Sequence, residues 1–209
     1  MRSVHRATLG DDLCVGLLGG RIGKGRVTRL DETELQMDVT LDQPPPSKLP
    51  LNLVLALPRP KVLNRVVAAA TSLGVGSLHL INAWRVEKSY WKSPRLSEAN
   101  LLHQRILGLE QARDTVLPDL HLHRLLRPFA EGELPDLARN TQALVAHPGS
   151  PEPCPRGLDG PVTLAIGPEG GFIPAEIELL ARFGFRSVDL GPRILRVETA
   201  VAALVSRLF

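Results

Sequence analysis

The alternation of apolar and polar residues predicts a small β unit at the beginning of the chain. From Glu34 to Leu41 every second residue is apolar, which is the pattern of a half-buried strand. A second alternating run, residues 13–17, precedes the Gly19-Gly20 pair, which is typical of a turn. We therefore expect residues 1–43 to form a small β domain.

Three consecutive prolines end this pattern. Pro44, Pro45 and Pro46 fit neither a strand interior nor a helix, because proline has no backbone N–H group and its φ angle is fixed. The sequence predicts a proline-rich linker at residues 44–50, between the β domain at 1–43 and a second domain at 51–209.

Apolar runs and helical periods alternate throughout the second domain, which is the pattern of an α/β fold with a parallel sheet. The expected strands are residues 51–57, 77–81, a stretch near His121, 143–147 and 162–166. The expected helices are residues 62–73, a stretch beginning after Ser97, 174–183 and a last one after Arg196. The last helix carries a stripe at a 3.6-residue period, formed by Val197, Val201, Leu204, Val205 and Leu208.

Two loops with a Gly-Pro pair precede helical patterns near the end of the chain, at Gly167–Gly171 and Gly191–Arg193. Open α/β sheets place their ligands at loops that follow the carboxyl ends of strands. Glycine allows backbone N–H and C=O groups to approach a ligand without a Cβ atom between them. Two tight turns with nothing bound are the alternative. The spacing matches neither a dinucleotide-binding glycine motif nor a phosphate-binding P-loop.

Aromatic and basic residues are mixed in the segment from Trp84 to Arg95. Both tryptophans and the single tyrosine of the chain lie here, beside four Lys or Arg residues. Aromatic rings stack on unpaired bases while cations neutralise phosphates, so the segment predicts contact with RNA. A dimer or domain interface is the alternative, because tryptophan and tyrosine are also common there.

Composition limits the class of protein. Of the 209 residues 44% are apolar, and we expect a cytoplasmic protein with Cys14 and Cys154 as free thiols, with no membrane segment and no metal. His121 and His123 are expected to be structural. The net charge of +3 is too small to indicate nucleic-acid binding by itself. The basic run from Arg21 to Arg29 is compatible with an RNA contact or with a solvated hairpin face.

The run IGPEGGF…E…LGPRILRVETA resembles the C-terminal signature of the RsmE family, the SPOUT-class methyltransferases that act on N3 of a uridine in small-subunit ribosomal RNA. The resemblance implies a trefoil-knotted α/β domain that binds S-adenosylmethionine, a homodimer, and a PUA-like RNA-binding barrel before it. Residues 4–15 resemble the end of that barrel, which we expect to be shortened here. We place the dimer contact near the apolar stripe of the last helix.

The resemblance also implies roles for individual residues. We expect Arg196 or Arg193 to stabilise the anion of the uridine, and Glu198 to orient the arginine or accept the proton. The cofactor-binding residues implied are His147, Pro148, Ile166, Gly167, Pro168, Glu169, Gly170, Gly171, Leu190, Gly191, Ile194, Leu195 and Thr199. The expected RNA-binding residues are Arg6, Arg21, Lys24, Trp84, Arg85, Lys88, Ser89, Tyr90, Trp91, Lys92 and Arg113.

Two alternatives remain open from the sequence. Arg113 belongs to a segment, Glu110–Arg113, that resembles a family motif, but it also fits the polar end of an amphipathic helix. A non-catalytic RNA-binding or ribosome-assembly module with the same fold is the alternative to a methyltransferase.

Overall fold

A computed structural model describes residues 7–209, and its N-terminal part is a three-stranded antiparallel sheet in the order β1-β2-β3. The strands are β1 (Asp12–Gly16), β2 (Ile22–Leu30) and β3 (Leu35–Gln43). A Cβ atom at Gly23 would collide with the carbonyl group of Thr40, next to an irregularity in the β2–β3 register. Both strands predicted from alternation are confirmed, whereas the PUA-like barrel stays a prediction.

The second part of the chain contains parallel strands that alternate with helices. Its strands are β4 (Leu49–Ala56), β5 (Val75–Ile81), β6 (Asp119–His123), β7 (Gln142–Ala146), β8 (Val162–Ile166) and β9 (Arg186–Val188). Its α-helices are α1 (Pro60–Ser72), α2 (Glu98–Ala112), α3 (Leu126–Gly132), α4 (Leu134–Ala138), α5 (Pro174–Arg182) and α6 (Val197–Leu208). Two short 3-10 helices, Lys88–Lys92 and Pro94–Leu96, precede α2. The predicted α/β class is confirmed.

The six strands form one parallel sheet in the order β6-β5-β4-β8-β7-β9. On one side of β4 lie β5 and then β6. On the other side lie β8, β7 and β9, in that order. Every residue of β8 is buried, as expected for a strand covered by helices on both faces. The carboxyl ends of β7, β8 and β9 therefore lie side by side at one edge of the sheet.

Close packing between helices fixes the layer on one face of the sheet. A Cβ atom at Gly108 of α2 would lie 2.5 Å from the carbonyl oxygen of Ala68 in α1. Glycine at this position lets the two helix backbones approach closely. Ser97 caps α2 by accepting a hydrogen bond from the Asn100 N–H group, as its position before the helical pattern predicts.

The apolar stripe of α6 is buried within the chain's own core. Val201, Leu204 and Leu208 are at most 1% exposed. Because these side chains already pack against the sheet and its helices, they offer no surface to a second protomer. The stripe itself is therefore part of the protomer core, and a dimer contact near this helix stays a prediction.

A buried ion pair joins the linker to the end of α2. The Lys48 ammonium group lies 2.6 Å from the Asp114 carboxylate, and the side chain of Asp114 is 4% exposed. Burial raises the pKa of Asp114, but the hydrogen bond from Lys48 and two backbone N–H donors outweigh it and lower the pKa below its usual value. The adjacent Thr115 donates its hydroxyl proton to the carbonyl oxygen of Gly20. This contact ties the N-terminal sheet to the larger part.

Three histidines, His79 of β5 and His121 and His123 of β6, stack on one face of these two strands. The His79 and His121 rings lie 4.7 Å apart, and Nδ1 of His79 is 3.1 Å from Nε2 of His123. His123 also lies 3.4 Å from the Glu133 carboxylate. The sequence showed His121 and His123 on one strand, but their neighbour His79 lies on β5, 42 residues before His121. Burial, followed by the charges of His121 and His123, lowers the pKa of His79 from 6.5 to about 3.

We predict that His79 makes the fold sensitive to acid. Between pH 6.5 and about pH 3 the unfolded chain binds a proton at this residue and the folded chain does not. Stability should therefore fall as pH decreases, by about 1.4 kcal/mol per pH unit from this group. Denaturant unfolding from pH 7 to pH 4 should give a smaller slope for His79→Gln than for the wild type. The control is His103→Gln on the exposed face of α2. An equal slope in all three proteins would contradict the prediction.

Candidate active site

A cavity of about 320 Å³ lies at the carboxyl ends of β7, β8 and β9. Its walls are formed by the residues that follow these strands and by one face of α6. They are Arg85, Ala146, His147, Pro148, Ile166, Gly167, Pro168, Glu169, Gly170, Gly171, Phe172, Val188, Asp189, Leu190, Arg193, Ile194, Leu195, Val197, Ala200 and Leu204. The two Gly-Pro loops are thus brought together around one cavity.

The first loop folds tightly on itself after β8. The Gly171 N–H group donates to the carbonyl oxygen of Pro168 at 2.7 Å, and Gly171 has a φ angle of +72° that favours glycine. A Cβ atom at Gly167 would lie 2.9 Å from the backbone nitrogen of Phe172. Gly167 is therefore required by the folding of the loop itself.

The first loop is also held to the segment before α1. The Glu169 carboxylate accepts a hydrogen bond from the Arg59 backbone N–H group at 3.2 Å, and the Arg59 Nε atom lies 3.8 Å from the same oxygen. This contact crosses the carboxyl end of the sheet from β8 to β4.

The second loop follows β9. The Gly191 N–H group donates to the Asp189 carboxylate at 3.2 Å, and Gly191 has a φ angle of +125°. Ile194 is 84% exposed although it lines the cavity, and Leu195 is 37% exposed. The second loop therefore forms the solvent-facing rim.

The residues expected to bind the cofactor lie at this cavity, with the exception of Gly191 and Thr199. The sequence reasoning missed Ala146, Phe172, Val188, Asp189, Val197, Ala200 and Leu204. The period of the last helix could have indicated three of them, since Val197, Ala200 and Leu204 lie on one helical face.

The candidate catalytic residues separate in the structure. Arg193 lines the cavity, whereas Arg196 and Glu198 do not. Glu198 lies 3.3 Å from Arg65 of α1, and Arg196 is an exposed residue at the N-cap of α6. The expectation that Arg196 and Glu198 both face the cofactor finds no support in this arrangement.

The aromatic and basic segment divides into an outward and an inward half. Trp84 is 80% exposed and its neighbour Arg85 lines the cavity, while Lys88, Ser89 and Lys92 are exposed. Trp91 is 8% exposed, and its indole N–H group donates to Asn82 at 2.9 Å.

The stacking role predicted for Trp91 is therefore wrong, because its ring is part of the core and is covered by Arg124 at 5.5 Å. Tyr90, half-buried, packs against the same core.

The remaining RNA-binding candidates do not line this cavity. Arg21 and Lys24 are exposed residues at the start of β2, and Arg113 ends α2 with a φ angle of +52°. Arg6 lies outside the described residues.

A second cavity of about 760 Å³ lies between the N-terminal sheet and the end of α2, and Arg113 lines it. It is larger than the first cavity, but its walls contain neither Gly-Pro loop. Size alone therefore does not identify the active site.

Two structural features are absent from residues 7–209. No group of three or more His, Cys, Asp or Glu side chains there is arranged to hold a metal ion. Among the helices of the same residues, none has the length and apolar character needed to cross a membrane.

Comparison with known proteins gives consistent results. Residues 45–209 match the family model described as an RNA methyltransferase domain. The ribosomal RNA small subunit methyltransferase E of Treponema pallidum is 32% identical over 97% of this chain and 78% of its own length. The enzyme of the same name from Mycobacterium bovis is 26% identical over 96% of this chain and 78% of its own.

Solved structures show the same fold. A putative methyltransferase from Legionella pneumophila, in complex with bound S-adenosylmethionine, has a TM-score of 0.75 and 25% identity, covering 98% of this chain and 85% of its own. The ribosomal RNA small subunit methyltransferase E of Neisseria gonorrhoeae has a TM-score of 0.76 and 22% identity over the same shares. With its motif, fold and relatives in agreement, this chain belongs to the ribosomal RNA small subunit methyltransferase E family.

Proposed function

We propose that the chain transfers a methyl group from S-adenosylmethionine to N3 of a uridine in small-subunit ribosomal RNA. The observation that carries this proposal is the single cavity lined by both Gly-Pro loops, at the carboxyl ends of β7, β8 and β9. Two relatives of the same family, including the one from Treponema pallidum, are named as enzymes of small-subunit ribosomal RNA.

The lining of the cavity fits S-adenosylmethionine. Its volume of about 320 Å³ lies within the range of small-molecule sites. Ile166, Leu190 and Leu204 would supply apolar walls for the adenine ring, and the loop backbones would supply hydrogen-bonding groups. Glu169 and Asp189 are anions that suit the cationic parts of the ligand. The cofactor provides a methyl group on a positively charged sulfur when it is bound.

The chain's own residues would position the uridine and stabilise its charge. Methyl transfer would form a bond between uridine N3 and the methyl carbon and break the bond from that carbon to sulfur, leaving S-adenosylhomocysteine. N3 carries a proton that would first pass to solvent at the open rim, so the reacting base is an anion. A guanidinium group at the rim would stabilise that anion in a partly dehydrated site. Arg193 lines the cavity, which supports this role, while Arg196 stays a candidate at the adjacent N-cap.

RNA contact is proposed for the outward side of the 84–95 segment. Trp84 offers an exposed ring beside the cavity, and Lys88 and Lys92 offer exposed cations on the same segment. Base stacking and phosphate neutralisation are the usual means of holding unpaired RNA.

We also propose, from the family resemblance, that the second domain is knotted, that the N-terminal sheet belongs to a PUA-like domain, and that two protomers associate. The domain limits proposed are residues 1–43, a linker that ends at residue 48 rather than 50 because β4 begins at Leu49, and a second domain from residue 49 to 209.

The proposed function is tested by methyl transfer from labelled S-adenosylmethionine to small-subunit ribosomal RNA, supplied free or in ribosomal particles. Nucleoside mass analysis should find 3-methyluridine at one position. Label in another nucleoside would contradict the N3 assignment, and a complete lack of transfer to every RNA form would contradict the enzyme.

Gly167→Ala should weaken cofactor binding. The added methyl group would lie 2.9 Å from the Phe172 backbone nitrogen and would open the first loop. Calorimetry should show at least about a tenfold loss of affinity for S-adenosylmethionine, equivalent to about 1.4 kcal/mol. Gly160→Ala is the control, because a Cβ atom there meets nothing within 4 Å. Unchanged affinity in folded Gly167→Ala protein would place the ligand elsewhere.

Arg193→Ala should slow the chemical step more than Arg196→Ala. Removing one preorganised electrostatic donor costs about a hundredfold in rate. Single-turnover methylation at saturating cofactor and RNA separates this loss from weaker binding. A larger loss of rate for Arg196→Ala would indicate that Arg196, at the N-cap of α6, stabilises the anion. Wild-type rates for both variants would show that neither arginine takes part in the reaction.

Trp84→Ala should weaken RNA binding, because stacking of one base contributes about 1–3 kcal/mol, or about 5- to 150-fold in affinity. Cofactor affinity should not change. Trp91→Phe is the comparison, and it should affect thermal stability rather than RNA affinity because the Trp91 ring is buried. Equal RNA affinity of wild-type and Trp84→Ala proteins would contradict the proposed contact.

A further inference from the structure

Glu176 is a buried acidic residue beneath the cavity. It is 6% exposed and is the third residue of α5. It does not line the cavity, and its burial keeps it from the surface at which RNA contact is proposed. A buried carboxylate is costly unless its oxygens are hydrogen-bonded, and each oxygen of Glu176 has a partner.

One partner is the N–H group of Ile173, the N-cap residue of the same helix, and the other is the N–H group of Trp84, which belongs to a distant part of the chain. Oε1 accepts a hydrogen bond from the Trp84 N–H group at 2.8 Å, and Oε2 accepts one from the Ile173 N–H group at 3.0 Å. Trp84 follows β5, whereas Ile173 follows the first Gly-Pro loop after β8. Because β4 lies between β5 and β8 in the sheet, the carboxylate bridges two loops that are not neighbours.

A second contact brings the same two loops together at the cavity. The Arg85 guanidinium group donates a hydrogen bond to the carbonyl oxygen of Gly170. The side chain of Arg85 also covers Gly170 closely, since a Cβ atom on Gly170 would lie 2.9 Å from Cδ of Arg85. Arg85 directly follows Trp84, whose backbone N–H group donates to Glu176. The position of the Arg85 side chain therefore depends on the same hydrogen bond.

We propose that Glu176 is a positioning residue for methyl transfer. It holds the segment that presents Trp84 and Arg85 at a fixed distance from the loop that carries Gly170. This inference rests on the proposed function, in which one loop contacts the cofactor and the other contacts the RNA. It predicts that the loss of Glu176 impairs the reaction of the bound RNA more than the binding of the cofactor.

Glu176→Gln is the informative substitution because it keeps the size of the side chain. A carboxylate accepts from both N–H groups, whereas the amide has one acceptor oxygen and would point its NH₂ group at the other donor. The Trp84 or the Ile173 N–H group is then left without its partner. The matched control is Glu178→Gln, which changes an exposed glutamate on the same helix.

Hydrogen exchange and methylation kinetics test the proposal together. In Glu176→Gln the Trp84 amide should exchange faster, the single-turnover rate should fall at least about tenfold, and the KM for RNA should rise. The dissociation constant for S-adenosylmethionine should change by less than about threefold. All measurements are made where circular dichroism shows the variant folded. Glu178→Gln should match the wild type in every measurement.

Failure of the positioning role and failure of the proposed function give different results. A wild-type protein without methyl transfer overturns the proposed function. If the wild type is active, the positioning role is overturned by a Glu176→Gln variant that is equally active. It is also overturned by a variant in which only the thermal stability changes. If Glu176→Gln does not fold, Glu176→Asp provides the same comparison, because it keeps the charge and shortens the reach.

The double variant Glu176→Gln/Arg85→Ala gives an independent check. If Glu176 acts by placing Arg85, the two losses should not add, since residues that work through one another show coupling. Fully additive losses would overturn this link.

Discussion

The parallel pairing of β8 between β4 and β7 is the constraint on which the rest of the structure depends. Because all three strands run in the same direction, the loops that follow them emerge at one edge of the sheet. The first Gly-Pro loop then lies between the segment before α1 and the loops after β7 and β9. A cavity formed by residues distant in sequence follows from this arrangement.

Most of the strands, the four longer helices and the position of the two Gly-Pro loops could be predicted because their signals are local, whereas β2 and β9 were not among the expected strands. Alternation, proline breaks and the capping serine depend on neighbouring residues only. The loop residues were found in the same way, since glycine and proline mark strand ends. The predicted reaction and cofactor came from the family resemblance, because the spacing of apolar residues does not indicate a reaction.

Trp91, which was misassigned, and Glu176 and His79, which were given no role, depend on contacts that a sequence does not show. Trp91 looks like an RNA contact because its neighbours are basic, but Asn82 and the core hold its ring. Glu176 appears as an ordinary acid in the first turn of a helix, and only the sheet order shows that it reaches the loop after β5. His79 joins the histidine stack through strand pairing, not through spacing.

Hydrogen exchange measured with and without S-adenosylhomocysteine tests the central claim most directly, because it locates the ligand without assuming activity. The account predicts added protection in two segments, residues 166–172 and 188–195, with the N-terminal sheet unaffected. Protection at residues 106–115 instead, beside the second cavity, would contradict it. So would binding of the ligand without any change in the two Gly-Pro loops.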